Sequence, residues 1–170
     1  MAINGLRHIP LANLISMANN IGELCEFIAT EYISEEYPSK DFYILRNIFY
    51  QKNRKQILGE LDVVVFSKST QKAVHIFEVK CQQNEKKAYK KAISQLERFK
   101  GHVEACLKKK SQIKISDGQE NFSCSLFSEP KYDALMPQNS RAVKSRAQHF
   151  GIDLVQIYFL QSCLKLQVLP

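Results

Sequence analysis

Residues 59–80 read GELDVVVFSKSTQKAVHIFEVK. Two apolar runs, ELDVVVF and AVHIFEVK, flank the polar stretch SKSTQK (67–72). Their β-branched and aromatic content predicts two strands joined by a turn. Side chains alternate across a strand, so Glu60, Asp62 and Val64 are expected on one face of the first, with Leu61 and Val63 on the other. In the second, Ile76, Glu78 and Lys80 are expected opposite His75, Phe77 and Val79. Pairing the strands would gather Asp62, Glu78 and Lys80 at one end of one face.

Ionised groups are costly to bury unless they are paired or bind a metal. Three readings fit the three charges. They can form a salt bridge on a solvent-facing side of the sheet, or guard an exposed edge against aggregation. They can also form a divalent-metal site. Two carboxylates on adjacent strands offer the hard oxygen ligands that Mg²⁺ prefers, and Mg²⁺ takes only one or two carboxylates from a protein. A lysine beside them can orient a water or stabilise charge developing on a phosphate.

Outward from this stretch, residues 11–33 carry Leu14, Ala18, Ile21, Cys25, Ile28 and Tyr32 at helical spacing. This predicts an amphipathic helix that Pro38 closes. DFYILRNIFYQ (41–51) reads as a strand, so three consecutive strands form an antiparallel meander. From Asn84 to about Lys110, Ala88, Ala92, Leu96, Phe99, Val103 and Cys106 share the face of a second helix. Beyond it, a hairpin about Asp117-Gly118 is expected, then a short helix over 139–150 stopped by Gly151. DLVQIYF and LKLQVL are expected as two closing strands. With no repeat or linker, the 170 residues read as one α/β domain, with a core at about 11–110 and an extension over 111–170.

The net charge of +7 is unevenly placed. Residues 84–110 hold nine Lys and Arg against three Asp and Glu, whereas residues 1–41 hold six acidic residues against two basic. The basic helix suits either a polyanion partner or a plain solvated face. The five cysteines are odd in number, scattered and without a CxxC pair. Reduced thiols in a cytoplasmic compartment are therefore expected, rather than a disulfide framework or a cysteine zinc site. No apolar run reaches membrane-spanning length, and the N-terminus has no secretory pattern.

Asp62, a fifteen-residue spacer and Glu78-Val79-Lys80 resemble the D…(D/E)xK signature of the PD-(D/E)xK nuclease superfamily. Gly59-Glu60-Leu61-Asp62 and Phe77-Glu78-Val79-Lys80 are similar to the GEID and VEVK elements of its YraN-like and archaeal-type Holliday junction resolvase members. Arg46-Asn47 falls where YraN-like proteins often have an Arg-Asn pair. The resemblance covers roughly residues 14–107. It implies a restriction-endonuclease-like core, a central mixed sheet flanked by helices in the order αβββαβ. It also implies a metal-dependent endonuclease. Asp62, Glu78 and the Val79 carbonyl would hold Mg²⁺ or Mn²⁺, and Lys80 would act with Asp62 and Glu78 in catalysis.

Many members add a glutamate from the preceding helix. Here it is Glu23 or Glu26, and helical phase favours Glu26, on the flank of the buried face. Gln95 matches a glutamine that several members carry on the following helix, and Lys91, Arg98 and His102 lie along its ridge as candidate nucleic-acid contacts. Glu60 is a supporting residue at best. The expected partner is nucleic acid, DNA foremost, recognised by structure or through a partner protein, with a homodimer plausible. A non-cleaving nucleic-acid-binding module on the same fold is the alternative.

Overall fold

The three strands of the meander form the middle of a seven-stranded sheet, with the other strands along its edges and the helices on its two faces. The structure, a computed structural model, describes residues 18, 20–52, 56–138 and 147–165. In chain order the elements are α1 (Ile21–Glu36), β1 (Phe42–Lys52), β2 (Gln56–Ser67), β3 (Ala73–Val79) and α2 (Glu85–Leu107). A short β4 (Lys114–Ser116) and β5 (Asn121–Phe122), a 3₁₀ turn (Cys124–Phe127), β6 (Lys131–Gln138), β7 (Gln148–Asp153) and α3 (Leu154–Lys165) follow. The sheet has seven strands in the order β5-β4-β1-β2-β3-β6-β7. β1, β2 and β3 are an antiparallel meander, whereas β6 and β7 run parallel to β3. The parallel step needs a crossover connection, which α2 and the β4–β5 hairpin supply.

This is the expected α/β architecture, a mixed sheet flanked by helices, with the β4–β5 hairpin inserted between α2 and β6. β2 is buried continuously from Leu61 to Ser67, as a central strand covered on both faces must be. On one face, Val63, Val65, Phe77 and Val79 pack against Leu24, Cys25, Ile28, Ala29 and Ile33 of α1 and Ile157 of α3. On the other, Ile48, Leu61, Val64, Phe66 and Ile76 pack against Leu96, Phe99 and Val103 of α2 and against Phe127. At the start of β3, His75 Nε2 bonds Asp133 at 2.8 Å, and Nδ1 accepts the Tyr37 hydroxyl at 2.7 Å. This chain ties the end of α1 to β3 and β6.

Several elements differ from the sequence expectation. α1 begins at Ile21, capped by Asn20, whose side chain accepts from the Glu23 N–H. Its buried stripe runs through Leu24, Cys25, Ile28, Ala29 and Ile33, leaving Tyr32 exposed. Most of the expected helix over 139–150 lies outside the described residues. Its last part, and Gly151 with it, belongs to β7. The first expected closing strand is the helix α3, whose start is fixed by a capping box. Asp153 Oδ1 accepts from the Val155 N–H at 2.6 Å, and Gln156 Oε1 accepts from the Asp153 N–H at 3.1 Å. The second, LKLQVL, begins within α3 and then passes outside the described residues.

The thiols also differ. Cys25 is paired with Cys81 and Cys106 with Cys124, as disulfides spanning 56 and 18 positions. Pairs so far apart in sequence meet only through tertiary packing. With four of the five thiols paired, cysteine usage no longer points to a reducing compartment. Among the described residues no helix is long and apolar enough to cross a membrane.

Gly59 has a steric reason. It lies directly across from Tyr50, and a Cβ there would collide with the Tyr50 ring. Tyr50 is itself clamped by Phe99, with ring centroids 5.0 Å apart. Gly59→Ala is therefore expected to cost about 1–3 kcal/mol of stability through overpacking. Urea unfolding measures it, and an unchanged midpoint would mean that Tyr50 moves aside freely.

Candidate active site

β2 and β3 stop pairing just before the charged residues. Their ladder runs from Phe66–Ala73 to Val63–Phe77 and ends there. The next backbone donor on β3, the Val79 N–H, is taken instead by the Asp62 carboxylate, with Oδ2 at 2.7 Å. On its other side β3 stays paired with β6, through Val79–Leu135, and the Lys80 N–H donates to the Leu135 carbonyl. Asp62 thus fills the wedge where two strands part, and one buried donor satisfies part of its charge.

Lys80 completes the group. Its ammonium donates to Glu78 Oε1 at 2.5 Å, to the Val79 carbonyl at 3.1 Å and to Asp62 Oδ2 at 3.5 Å. Three oxygens from two strands therefore converge on one cationic nitrogen. Glu78 is fully buried, and its second oxygen, Oε2, has no hydrogen-bond partner among the described residues. Burial pushes the Glu78 carboxyl well above the ordinary glutamate range, and repulsion from Asp62 adds to it against Lys80. Burial likewise raises Asp62, opposed by Lys80 and by the Val79 N–H. For Lys80, burial works against the charged form, but Asp62 and then Glu78 outweigh it and raise its pKa. One ammonium thus faces two carboxylates.

Further charge surrounds this group from α1 and β1. Glu26 Oε2 lies 3.6 Å from an Arg46 guanidinium nitrogen, and that guanidinium sits 3.9 Å from the centre of the Phe27 ring. The Glu26 carboxyl is pushed up to about 7, first by burial and then by Asp62, with Arg46 opposing. Glu60 is raised by burial and by Asp62. The Glu26 carboxyl thus senses Asp62. Cys25, adjacent to Glu26, is bonded to Cys81, adjacent to Lys80, so α1 is tied covalently to the end of this site.

The expected face assignment needs correction. Val63 packs on the α1 side with Val65, but Leu61 packs on the α2 side with Val64 and Phe66. Strict alternation would put Leu61 beside Val63. The same reversal occurs across the ladder in β1, where Ile44 packs on the α1 side and Ile48 on the α2 side. Both strands change phase at one position, where Asn47 stands opposite Asp62 with φ of 56°. Asp62, Glu78 and Lys80 meet at the edge between strands, not on a common flat face.

The remaining sequence candidates lie on α2. Gln95 is half-buried, and its Oε1 has no hydrogen-bond partner among the described residues. Lys91 and Arg98 are exposed, while His102 packs its ring against Tyr50 at 5.8 Å. Arg46 and Asn47 are the residues to which sequence reasoning gave no role in the site. The charge of Arg46 and the tolerance of asparagine for positive φ were the available signals.

These residues suit a hard divalent cation. Asp62, Glu78 and the Val79 carbonyl present oxygen donors, and the orphaned Glu78 Oε2 is an acceptor that lacks a positive partner. Among the described residues no group of three or more His, Cys, Asp or Glu side chains is arranged to hold a metal ion, so the set amounts to two carboxylates and a backbone carbonyl. That number suits Mg²⁺, which keeps several waters.

Glu26 gives a pH test. With its folded pKa raised to about 7, the native state binds more protons than the unfolded state between the ordinary glutamate pKa and about 7. Its contribution to stability therefore falls as pH rises through that window. Glu26→Gln should flatten this part of the stability–pH curve, as read by chemical unfolding at a series of pH values. A curve unchanged by the substitution would contradict the placement of Glu26.

The HamA family model matches residues 9–150 of the chain. No curated protein and no solved structure matches it.

Proposed function

The chain belongs to the HamA family, and we propose that this member is a divalent-metal-dependent endonuclease acting on nucleic acid, DNA foremost. One observation carries the reading: the Lys80 ammonium lies among Asp62 Oδ2, Glu78 Oε1 and the Val79 carbonyl, the oxygens that would hold a Mg²⁺ or Mn²⁺ ion. The lysine nitrogen stands in for the cation the donor set suits. A bound Mg²⁺ or Mn²⁺ would supply Lewis-acid polarisation of the scissile phosphate and an activated water.

The chain's own residues do the rest. Asp62 is held by the Val79 N–H through Oδ2, the same oxygen that faces Lys80, so its carboxylate has a defined direction. Lys80, tethered two residues from Glu78, donates to the attacking water or to a phosphate oxygen as negative charge develops. Water forms the new P–O bond and the ester P–O bond breaks in line with it. Glu26 and Glu60 add negative charge around Asp62 as supporting residues. Lys86, Lys87, Lys90, Lys91, Arg98 and Lys100 are exposed along α2 and provide phosphate-backbone contacts, with Gln95 and His102 half-buried among them. Such contacts read backbone and shape, so selection of a target by its structure or through a partner protein goes with them. An intracellular site of action goes with that substrate.

Incubation with Mg²⁺ or Mn²⁺ and a panel of linear, single-stranded, branched and RNA substrates tests the reading. Wild type should cut at least one of them. Asp62→Asn should fall to background, and Lys80→Ala should lose at least about 100-fold in rate, with circular dichroism unchanged. Wild-type rates in both purified variants would refute the mechanism. Salt-dependent binding without cleavage in the wild type would favour the non-cleaving module instead.

A further inference from the structure

Within β1 the regular ladder to β2 pairs Arg46 with Val63 and Ile48 with Leu61, but the pair between them, Asn47 and Asp62, is missing. Asn47 has φ of 56°, inside an eleven-residue strand. A left-handed residue costs an ordinary L-amino acid about 1–2 kcal/mol, and asparagine is the side chain that tolerates it best after glycine. Such a residue in a strand acts like a bulge, rotating the chain and re-aiming its neighbours. The rotation is visible in the packing. Before Asn47, Ile44 packs toward α1, and after it Ile48 packs toward α2. Across the ladder the same change separates Val63 from Leu61. It is at this reversal that the β2–β3 ladder ends and the Asp62 carboxylate takes the Val79 N–H.

We infer that Asn47 is the positioning residue of this site: its left-handed backbone, directly across from Asp62, holds the Asp62 carboxylate in the wedge between β2 and β3. In an ordinary extended conformation at 47, Leu61 would share a face with Val63, and Asp62 would point with Val64 into the apolar cluster around Phe99. The left-handed turn avoids that burial and delivers the carboxylate to the end of β3. Arg46, which precedes the turn and shares the side of Ile44, already lies on the α1 side, within reach of Glu26. What matters at 47 is thus the backbone angle, more than the amide group.

The metal part of the test rests on the nuclease reading; the amide part does not. Asn47→Gly, Asn47→Ala and Asn47→Val are compared by the NMR shift and hydrogen exchange of the Val79 amide, and by calorimetric Mn²⁺ affinity. Thermal melting checks the fold, and Asp62→Ala marks the Val79 signal without its acceptor. Asn47→Gly should match wild type in both measurements, because glycine adopts positive φ without a Cβ penalty. Asn47→Val should shift the Val79 amide toward the Asp62→Ala signal and weaken Mn²⁺ binding by about 10-fold or more, with Asn47→Ala in between. If the valine variant does not fold, the alanine–glycine comparison decides, and equal behaviour of those two overturns the inference. So does a folded Asn47→Val with wild-type Val79 exchange, or an Asn47→Gly that behaves like valine. Absence of Mn²⁺ binding in wild type itself would refute the metal reading, and the Val79 amide would still decide the role of Asn47.

Discussion

A carboxylate that substitutes for a strand is the interaction on which the rest depends. Where β2 and β3 part, Asp62 supplies the acceptor that the Val79 N–H would otherwise have found in a neighbouring backbone. An unpaired buried N–H costs about 1–3 kcal/mol, and a charge-assisted bond to it contributes about 1.5–3 kcal/mol. That does not cover the desolvation of two carboxylates, which runs to several kcal/mol for each ion. Lys80 offsets part of the deficit, yet one ammonium cannot neutralise both Asp62 and Glu78. Burial first, and then repulsion from Asp62, raises the carboxyl pKa values at Glu78, Glu60 and Glu26, while burial raises Asp62 against Lys80 and the Val79 N–H. Such a site gains by taking up positive charge, as a proton or as a cation. The second carboxylate, Glu78, is buried with an oxygen, Oε2, that has no hydrogen-bond partner among the described residues.

The surrounding fold keeps this wedge from closing. β3 remains anchored to β6 on its other side and to α1 through the His75–Tyr37 bond, so it cannot swing toward β2 to recover the lost ladder. β2 is held by β1 along most of its length, including the close fit of Tyr50 over Gly59. Packing on both faces makes the divergence a fixed feature, since interiors this dense do not deform continuously.

Much of the fold was legible in the sequence because its central elements obey one period each. The three strands, α2 with its buried Ala88-Ala92-Leu96-Phe99-Val103 stripe, and the Asp117-Gly118 turn all follow from patterns that burial enforces. The misses have separate causes. LVQIYF is apolar enough for a strand, and only the Asp153–Gln156 capping box marks it as a helix start. The disulfide partners depend on how α1 and α2 lie in space, which no local pattern contains. The site was half legible. Residue types and spacing singled out Asp62, Glu78 and Lys80, but their geometry was misjudged, because strict alternation holds only while every residue stays extended. Asn47 breaks that condition, and a single asparagine in a strand carries no signal strong enough to show it beforehand.

On the nuclease reading, the distribution of charge links this geometry to a substrate. The chain carries a net charge of +7, with the exposed lysines of α2 following directly after a strand that ends in a carboxylate-rich site. For a neutral or cationic ligand the two regions would work against each other. For a polyanion their roles are complementary, because the helix attracts the backbone over a distance set by the ionic strength. The acidic end of β3 would repel the same phosphates until a cation sits among Asp62, Glu78 and Val79. Access of a phosphate to the site would then depend on that cation, and a basic protein could hold nucleic acid without cutting it whenever divalent metal is scarce. On the nuclease reading, binding and cleavage are therefore separable by metal alone, and the acidic wedge makes them so.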